Sequence, residues 1–236
     1  MPADSLNPRP YASEIKFLLD AATAQRVRDW ARQYLACDPN GSGPFSDEYR
    51  TTSLYFDNEQ FDTFHRRGSF GRAKYRVRRY GDDTTLFLER KLKANGYLHK
   101  RRAPVPLDAL GSLDLAAPAA TDARSQWFRR RLALRQLRPV CEVSYVRTAR
   151  MSHDGASPMR LTIDEAVQAR TAEGLRFAMA PGHDALGRQC VLELKYVRTP
   201  PVLMKGLLEE FALQPAAVSK YRLSVEALGM APAIHA

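Results

Sequence analysis

Residues 72–93 read RAKYRVRRYGDDTTLFLERKLK. Two runs of strand-forming residues flank the turn Gly81-Asp82-Asp83, which predicts an antiparallel hairpin. Side chains two apart on a strand share a face. Arg76 and Arg78 therefore share one face, extended by Lys74, with Tyr75 and Val77 on the other. Glu89, Lys91 and Lys93 likewise stand opposite Leu88 and Leu92. The hairpin has one apolar face and one face of mixed charge.

The same division recurs outward from this hairpin. In the strand predicted over 11–19, Glu14 and Lys16 oppose Ile15 and Phe17. In 159–167, Arg160, Thr162 and Asp164 oppose Leu161 and Ile163. In 190–197, Glu193 and Lys195 oppose Leu192, Leu194 and Tyr196. Glu-x-Lys occurs three times in these strands, and LERK is echoed by LELK. Further strands are predicted over 50–57, 97–105 and 140–151, with a weaker one over 175–180.

Helices are predicted between the strand groups. One follows Asp20 as its cap, a short one runs from Asn58 to His65 with Gly68 ending it, and another short one lies within 104–120. A basic helix capped by Thr121 or Asp122 runs to Leu137. The last, Val202–Leu213, opens after Pro200-Pro201 with Thr199 as its cap. Eight or so strands, mostly in hairpins, read as α+β with a large antiparallel sheet. Such a sheet is expected to close into an eight-stranded barrel with helices packed outside. A solvated outer surface is the ordinary fate of a charged sheet face. Its recurrence on five strands instead predicts a charged lumen.

The chain has 236 residues, 44% hydrophobic and 26% charged, which excludes disorder and favours one domain. That domain is expected over 11–228, with flexible tails at 1–10 and 229–236. Net charge is +10, from 36 Lys+Arg against 26 Asp+Glu, which points to an anionic partner. Arg outnumbers Lys 28 to 8. No apolar run reaches the roughly 18 residues of a membrane span, and the start has no signal-peptide pattern. Cys37, Cys141 and Cys190 fit neither a disulfide framework nor a zinc site, so reduced thiols and a cytoplasmic location are expected. GSFGRAK (68–74) lacks the order of a P-loop, and GxSxG and HExxH are absent.

A lumen lined by Lys and Arg repels itself when empty and favours a polyanion. The acids among the bases favour a divalent metal. A polyphosphate moiety with its metal satisfies both signs.

EIKFLL (14–19), SLYFD (53–57), KYRVRRYG (74–81), FLERK (87–91), SYVRTA (144–149), RLTID (160–164), LELKY (192–196) and VSKY (218–221) follow in this order. The set resembles the VTC domain, a polyphosphate polymerase module of the triphosphate tunnel metalloenzyme, or CYTH, superfamily. The resemblance spans about residues 11–228. It implies an eight-stranded tunnel that binds triphosphate with Mn²⁺ or Mg²⁺ and moves the γ-phosphate of ATP onto a growing polyphosphate chain.

By motif, it implies catalytic roles for Arg76, Arg78, Lys91 and Lys220, and phosphate contacts for Lys16, Arg147, Arg160 and Lys195. Glu193 is the implied metal ligand, with Glu14 and Glu89 as further candidates. The superfamily's first-strand ExExK stands here as Ala12-x-Glu14-x-Lys16, a loss shared by VTC relatives. Ala217 stands where eukaryotic polymerases carry another lysine.

Phosphoryl transfer needs positioning and charge stabilisation more than a nucleophilic side chain. A terminal phosphate acceptor needs no general base. A water acceptor does, and Glu14, Glu89 and Asp164 are the acids available to orient it. Hydrolysis of inorganic triphosphate or nucleotides, and polyphosphate binding without turnover, are the alternative readings. No nucleic-acid partner is expected, because no stacking fingerprint of an RNA-binding module is present. Docking to a membrane partner stays open. Tyr55 and Tyr75 read as barrel packing, Cys141 and Cys190 as apolar fillers, and Arg129-Arg130-Arg131 as a solvated face or a docking patch for an acidic polymer or a membrane headgroup. His65, His99, His153 and His183 read as surface or loop residues.

Overall fold

A computed structural model gives the structure, and it describes residues 12–94, 97–117, 123–152, 158–178 and 180–231. The expected N-terminal tail and most of the C-terminal one lie outside the described residues, as do Thr121 and Asp122.

Among the described residues ten strands form one sheet: β1 (Ala12–Leu19), β2 (Ala36–Cys37), β3 (Glu48–Asp57), β4 (Ala73–Tyr80), β5 (Thr85–Ala94), β6 (Tyr97–Pro106), β7 (Arg138–Met151), β8 (Met159–Thr171), β9 (His183–Asp184) and β10 (Cys190–Val197). The main path runs β1-β10-β8-β7-β3-β4-β5-β6. Every described pairing is antiparallel. Among the described residues five α-helices complete the fold, α1 (Ala21–Tyr34), α2 (Asp62–His65), α3 (Ala123–Leu134), α4 (Val202–Glu210) and α5 (Lys220–Ala227), with 3₁₀ helices at Phe70–Arg72 and Leu107–Leu113, the latter the short helix expected within 104–120.

The expected closed barrel is corrected by this topology. β1 pairs with β10 alone and β6 with β5 alone, so the sheet is open between its two ends. It is nevertheless curled: Lys91 on β5 reaches Glu14 on β1 at 3.3 Å across the concave face. The free edge at β6 carries Lys100, Arg101, Arg102, Pro104 and Pro106. Prolines remove ladder donors and clustered cations repel a further strand, two ordinary ways to keep an edge unpaired.

The alternation in the sequence sets the layers. Phe17, Leu161, Ile163, Leu192 and Leu194 pack outward against Val27, Trp30 and Ala31 of α1 and Met204 and Leu207 of α4. Leu54, Phe56, Tyr75, Val77, Leu86 and Leu88 pack outward against Phe128 and Leu132 of α3. Each such fully buried side chain contributes roughly 1.5–3 kcal/mol. The charged face is thereby left on the concave side. α5 enters that side: Tyr221 and Val225 pack there on Tyr55, Cys141, Val143, Val167 and Val191, in one cluster with Phe64 of α2.

Local signals explain most boundaries. The Asp20 side chain accepts from Thr23 N at 2.7 Å and starts α1 as expected. Asn58 Oδ1 accepts from Asp62 N, and Asp57 accepts from Thr63 N and Phe64 N, so α2 begins at Asp62. That helix stops at Arg66, which turns left-handed (φ 59°), before Gly68 is reached. α4 begins after Pro201 without a side-chain cap, so Thr199 does not serve as one. The strand expected over 175–180 is absent: residues 175–178 carry no strand, and β9 pairs with β8 instead. A bulge with Ala166 at φ 49° shifts the β7–β8 register. It lets Asp164 and Val167 both face inward across three residues.

Candidate functional site

The bases of the concave face fall into groups set by their counter-charges. On β7 and β8, Arg147 donates from Nε and Nη2 to the two oxygens of Asp164 at 2.6 and 2.7 Å. Lys220, the first residue of α5, contacts the same carboxylate at 2.5 Å. Burial alone would raise the Asp164 pKa, but Arg147 and Lys220 outweigh it and hold it down at about 2.

On β4 and β5, Arg76 meets Glu89 at 2.6 Å and donates to the Tyr55 hydroxyl at 3.0 Å. Lys100 and Arg102 of β6 also reach Glu89, at 2.9 and 3.5 Å. Against the cost of burial, Arg76 and Arg78 lead these cations in holding Glu89 far below the usual carboxylate range. Glu89 is thus a counter-ion for three bases.

A looser group joins β1, β10 and β5. Lys16 lies 3.1 Å from Glu14 and 3.6 Å from Glu193. Lys195 lies 2.6 Å from Glu193 and 3.6 Å from Glu14, and Lys91 lies 3.3 Å from Glu14. Burial pushes the Lys91 ammonium down to about 7 in spite of Glu14 and Glu193. Glu14 and Glu193 repel one another, yet the lysines keep both carboxyls below their ordinary values against the pull of burial.

Arg78 differs from the rest. It is 5% exposed and donates to Ser53 Oγ at 3.1 Å and Tyr145 OH at 3.0 Å. Among the described residues no carboxylate lies within ion-pair distance of it. At the rim, Arg160 is held by Asp38 at 2.8 Å and by the Tyr49 hydroxyl at 2.9 Å. Lys74 donates to Ser219 Oγ, the cap of α5, at 2.7 Å, and burial lowers its pKa to about 8.

All eight bases and three acids expected in the lumen therefore lie on one face. Only two of the acids, Glu14 and Glu193, come together, while Glu89 stands apart with Arg76. Among the described residues no three of His, Cys, Asp and Glu gather around a metal position. A pair of carboxylates is a donor set that suits Mg²⁺ or Mn²⁺ sharing its remaining positions with water and phosphate oxygens.

Sequence reasoning missed the part played by Asp38, Tyr49, Tyr145, Lys100 and Arg102. For Lys100 and Arg102 the alternation of the 97–105 strand was the available signal. Tyr55 is buried packing as expected, with its hydroxyl also serving Arg76. Arg129 is no solvated side chain: it donates to the carbonyls of Ser112, Leu115 and Ala117, whereas Arg130 and Arg131 are exposed. Cys141 and Cys190 are buried free thiols, and Cys37 is an exposed one. Among the described residues no helix is long and apolar enough to cross a membrane.

Comparison with known structures shows the same fold. A candidate adenylyl cyclase from Hippeastrum, described as having a dominant triphosphatase activity, matches at 15% identity and a TM-score of 0.53, covering 92% of this chain and 95% of that one. A candidate adenylate cyclase from Bacillus halodurans matches at 13% identity and a TM-score of 0.54, covering 89% and 94%. No curated protein matches this chain. The family model of the VTC domain matches residues 11–229, nearly the whole sequence, and the chain belongs to that family.

Proposed function

We propose that the concave face binds the triphosphate of ATP and transfers its γ-phosphoryl group to the end of a polyphosphate chain. The observation that carries this reading is Arg78, a buried guanidinium whose partners are neutral hydroxyls. Its one nearby acid, Glu89, is already paired with Arg76, Lys100 and Arg102, so an anion that arrives to share the site adds counter-charge there. The neighbouring lysines Lys16, Lys91 and Lys195 share the two carboxylates of Glu14 and Glu193, so phosphate oxygens can take up the charge left over.

In the transfer, a terminal oxygen of the acceptor chain attacks the γ-phosphorus. The bond from that phosphorus to the β,γ-bridging oxygen breaks, and ADP leaves with the electron pair. The acceptor is already an anion, so no proton need be removed. Arg76 and Arg78 hold the phosphoryl oxygens, Lys91 and Lys220 neutralise the charge that spreads over them, and Lys16, Lys195, Arg147 and Arg160 orient the flanking phosphates. Glu14 and Glu193 are the residues that would hold Mg²⁺ or Mn²⁺. Such an ion supplies charge neutralisation at phosphate oxygens. Glu89 fixes Arg76.

Hydrolysis is the second reading, favoured by the shared fold with the Hippeastrum protein described as a triphosphatase. Incubation of the purified chain with ATP and Mn²⁺ separates the two. Long polymer supports the transferase and free phosphate alone supports the hydrolase. Tight binding of polyphosphate without turnover overturns both.

A further inference from the structure

Three aromatic rings interrupt the ionic lining at one end of the concave face. Tyr49 stands opposite Arg147 in the β3–β7 register, and its hydroxyl accepts from Arg160. Tyr80 lies two residues beyond Arg78 on β4, and Phe87 stands opposite Arg78 on β5. The rings meet edge to face, Tyr49 to Tyr80 at 5.7 Å and Tyr80 to Phe87 at 5.6 Å between centroids. All three are half-buried. Elsewhere on the inward positions of these two strands the side chains are Lys74, Arg76, Arg78, Thr85, Glu89, Lys91 and Lys93, so phosphate chemistry alone does not account for the rings.

Arg102 joins them. Its guanidinium lies 3.6 Å from the Phe87 centroid and 5.4 Å from that of Tyr80, and its edge faces Glu89 at 3.5 Å. One face is covered by Phe87 and the edge is held, while the side chain keeps 34% exposure. A planar cation fixed in this way is a stacking platform for a heteroaromatic ring.

We propose that Arg102, Tyr80 and Phe87 form a nucleobase subsite, taking the base of a nucleoside triphosphate whose phosphates lie on Arg76 and Arg78. The proposal rests on the reading of this face as a triphosphate site. Strand rise places Tyr80 about 7 Å beyond Arg78, room for the sugar between phosphate and base. The opposite end of the face is filled by Tyr221 and Val225 of α5, which excludes the base there. The channel thus has a direction, with the nucleoside at the Tyr49–Phe87 end.

Calorimetric titration of the full chain with ATP and with inorganic triphosphate tests this, together with the fluorescence of etheno-ATP, which stacking quenches. Phe87→Leu and Tyr80→Leu are expected to lower ATP affinity about tenfold, the size of one lost stacking contact. They should abolish the quenching and leave triphosphate affinity within twofold, while Tyr80→Phe retains ATP binding. Unchanged ATP affinity in both leucine variants, or an equal fall for the two ligands, overturns the subsite alone. Failure of the unaltered protein to bind either ligand overturns the triphosphate reading and the subsite with it.

Discussion

Arg147 on β7 grips both oxygens of Asp164 on β8 with two parallel N–H donors, and Lys220 closes on the same carboxylate from α5. The ladder between the strands and the docking of the last helix therefore meet at one fully buried acid. Asp164→Asn would leave two buried cations without their counter-charge, a loss of about 3–5 kcal/mol. Its signature is a lower urea midpoint, partly restored by inorganic triphosphate, whose charge can replace the missing carboxylate.

Asp164 also shapes the acid limb of stability. Its folded pKa, about 2, lies below its ordinary value of 3.8. The stability it contributes is therefore present above pH 3.8 and is lost as pH falls toward 2. A plot of unfolding free energy against pH should rise with pH across that window in the unaltered protein and rise less steeply in Asp164→Asn.

Much of this arrangement was legible in the sequence. The 72–93 hairpin shows its two faces by alternation alone, and LELKY shows the same division a hundred residues later, because period-two patterning is local. Closure was not legible. It depends on whether β1 meets β6, strands about eighty residues apart in sequence, and the prolines and cations of β6 are weak local hints of a free edge. Asp38 gave no signal either: it sits in a loop 122 residues from its partner Arg160. α5 was seen as the VSKY motif, although Ser219 as a cap and Tyr221 and Val225 at four-residue spacing already described a short helix.

Lys91 makes anion binding depend on pH. Its pKa of about 7 in the free protein is set by burial and must rise when a polyanion lies beside it. A group whose pKa rises on binding takes up a proton, so affinity is full below pH 7 and falls as pH rises through that value, by at most about tenfold per unit. Lys74, at about 8, extends the fall. Triphosphate titrations from pH 6.5 to 9 should show it, and Lys91→Arg should remove the part near pH 7 while the part near pH 8 remains.

The two kinds of glutamate should separate in a metal titration. Glu193→Gln removes one of the two adjacent carboxylates and is expected to raise the Mn²⁺ concentration for half-maximal turnover at least tenfold. Glu89→Gln instead frees Arg76, and should lower turnover with little change in the Mn²⁺ requirement. Equal Mn²⁺ curves for Glu193→Gln and the unaltered chain would remove Glu193 from the metal site.

Arg78 is the buried base on which triphosphate binding should depend most. Its guanidinium spans two strands, donating to Ser53 on β3 and Tyr145 on β7 with two different nitrogens. A lysine ammonium cannot reproduce that fork. Arg78→Lys should therefore weaken triphosphate binding by roughly tenfold or more, about 1.4 kcal/mol. Arg78→Met removes the fork and one of the cations that hold Glu89 down, and is expected to lose triphosphate binding altogether. Undiminished triphosphate binding in the methionine variant would remove Arg78 from the anion site.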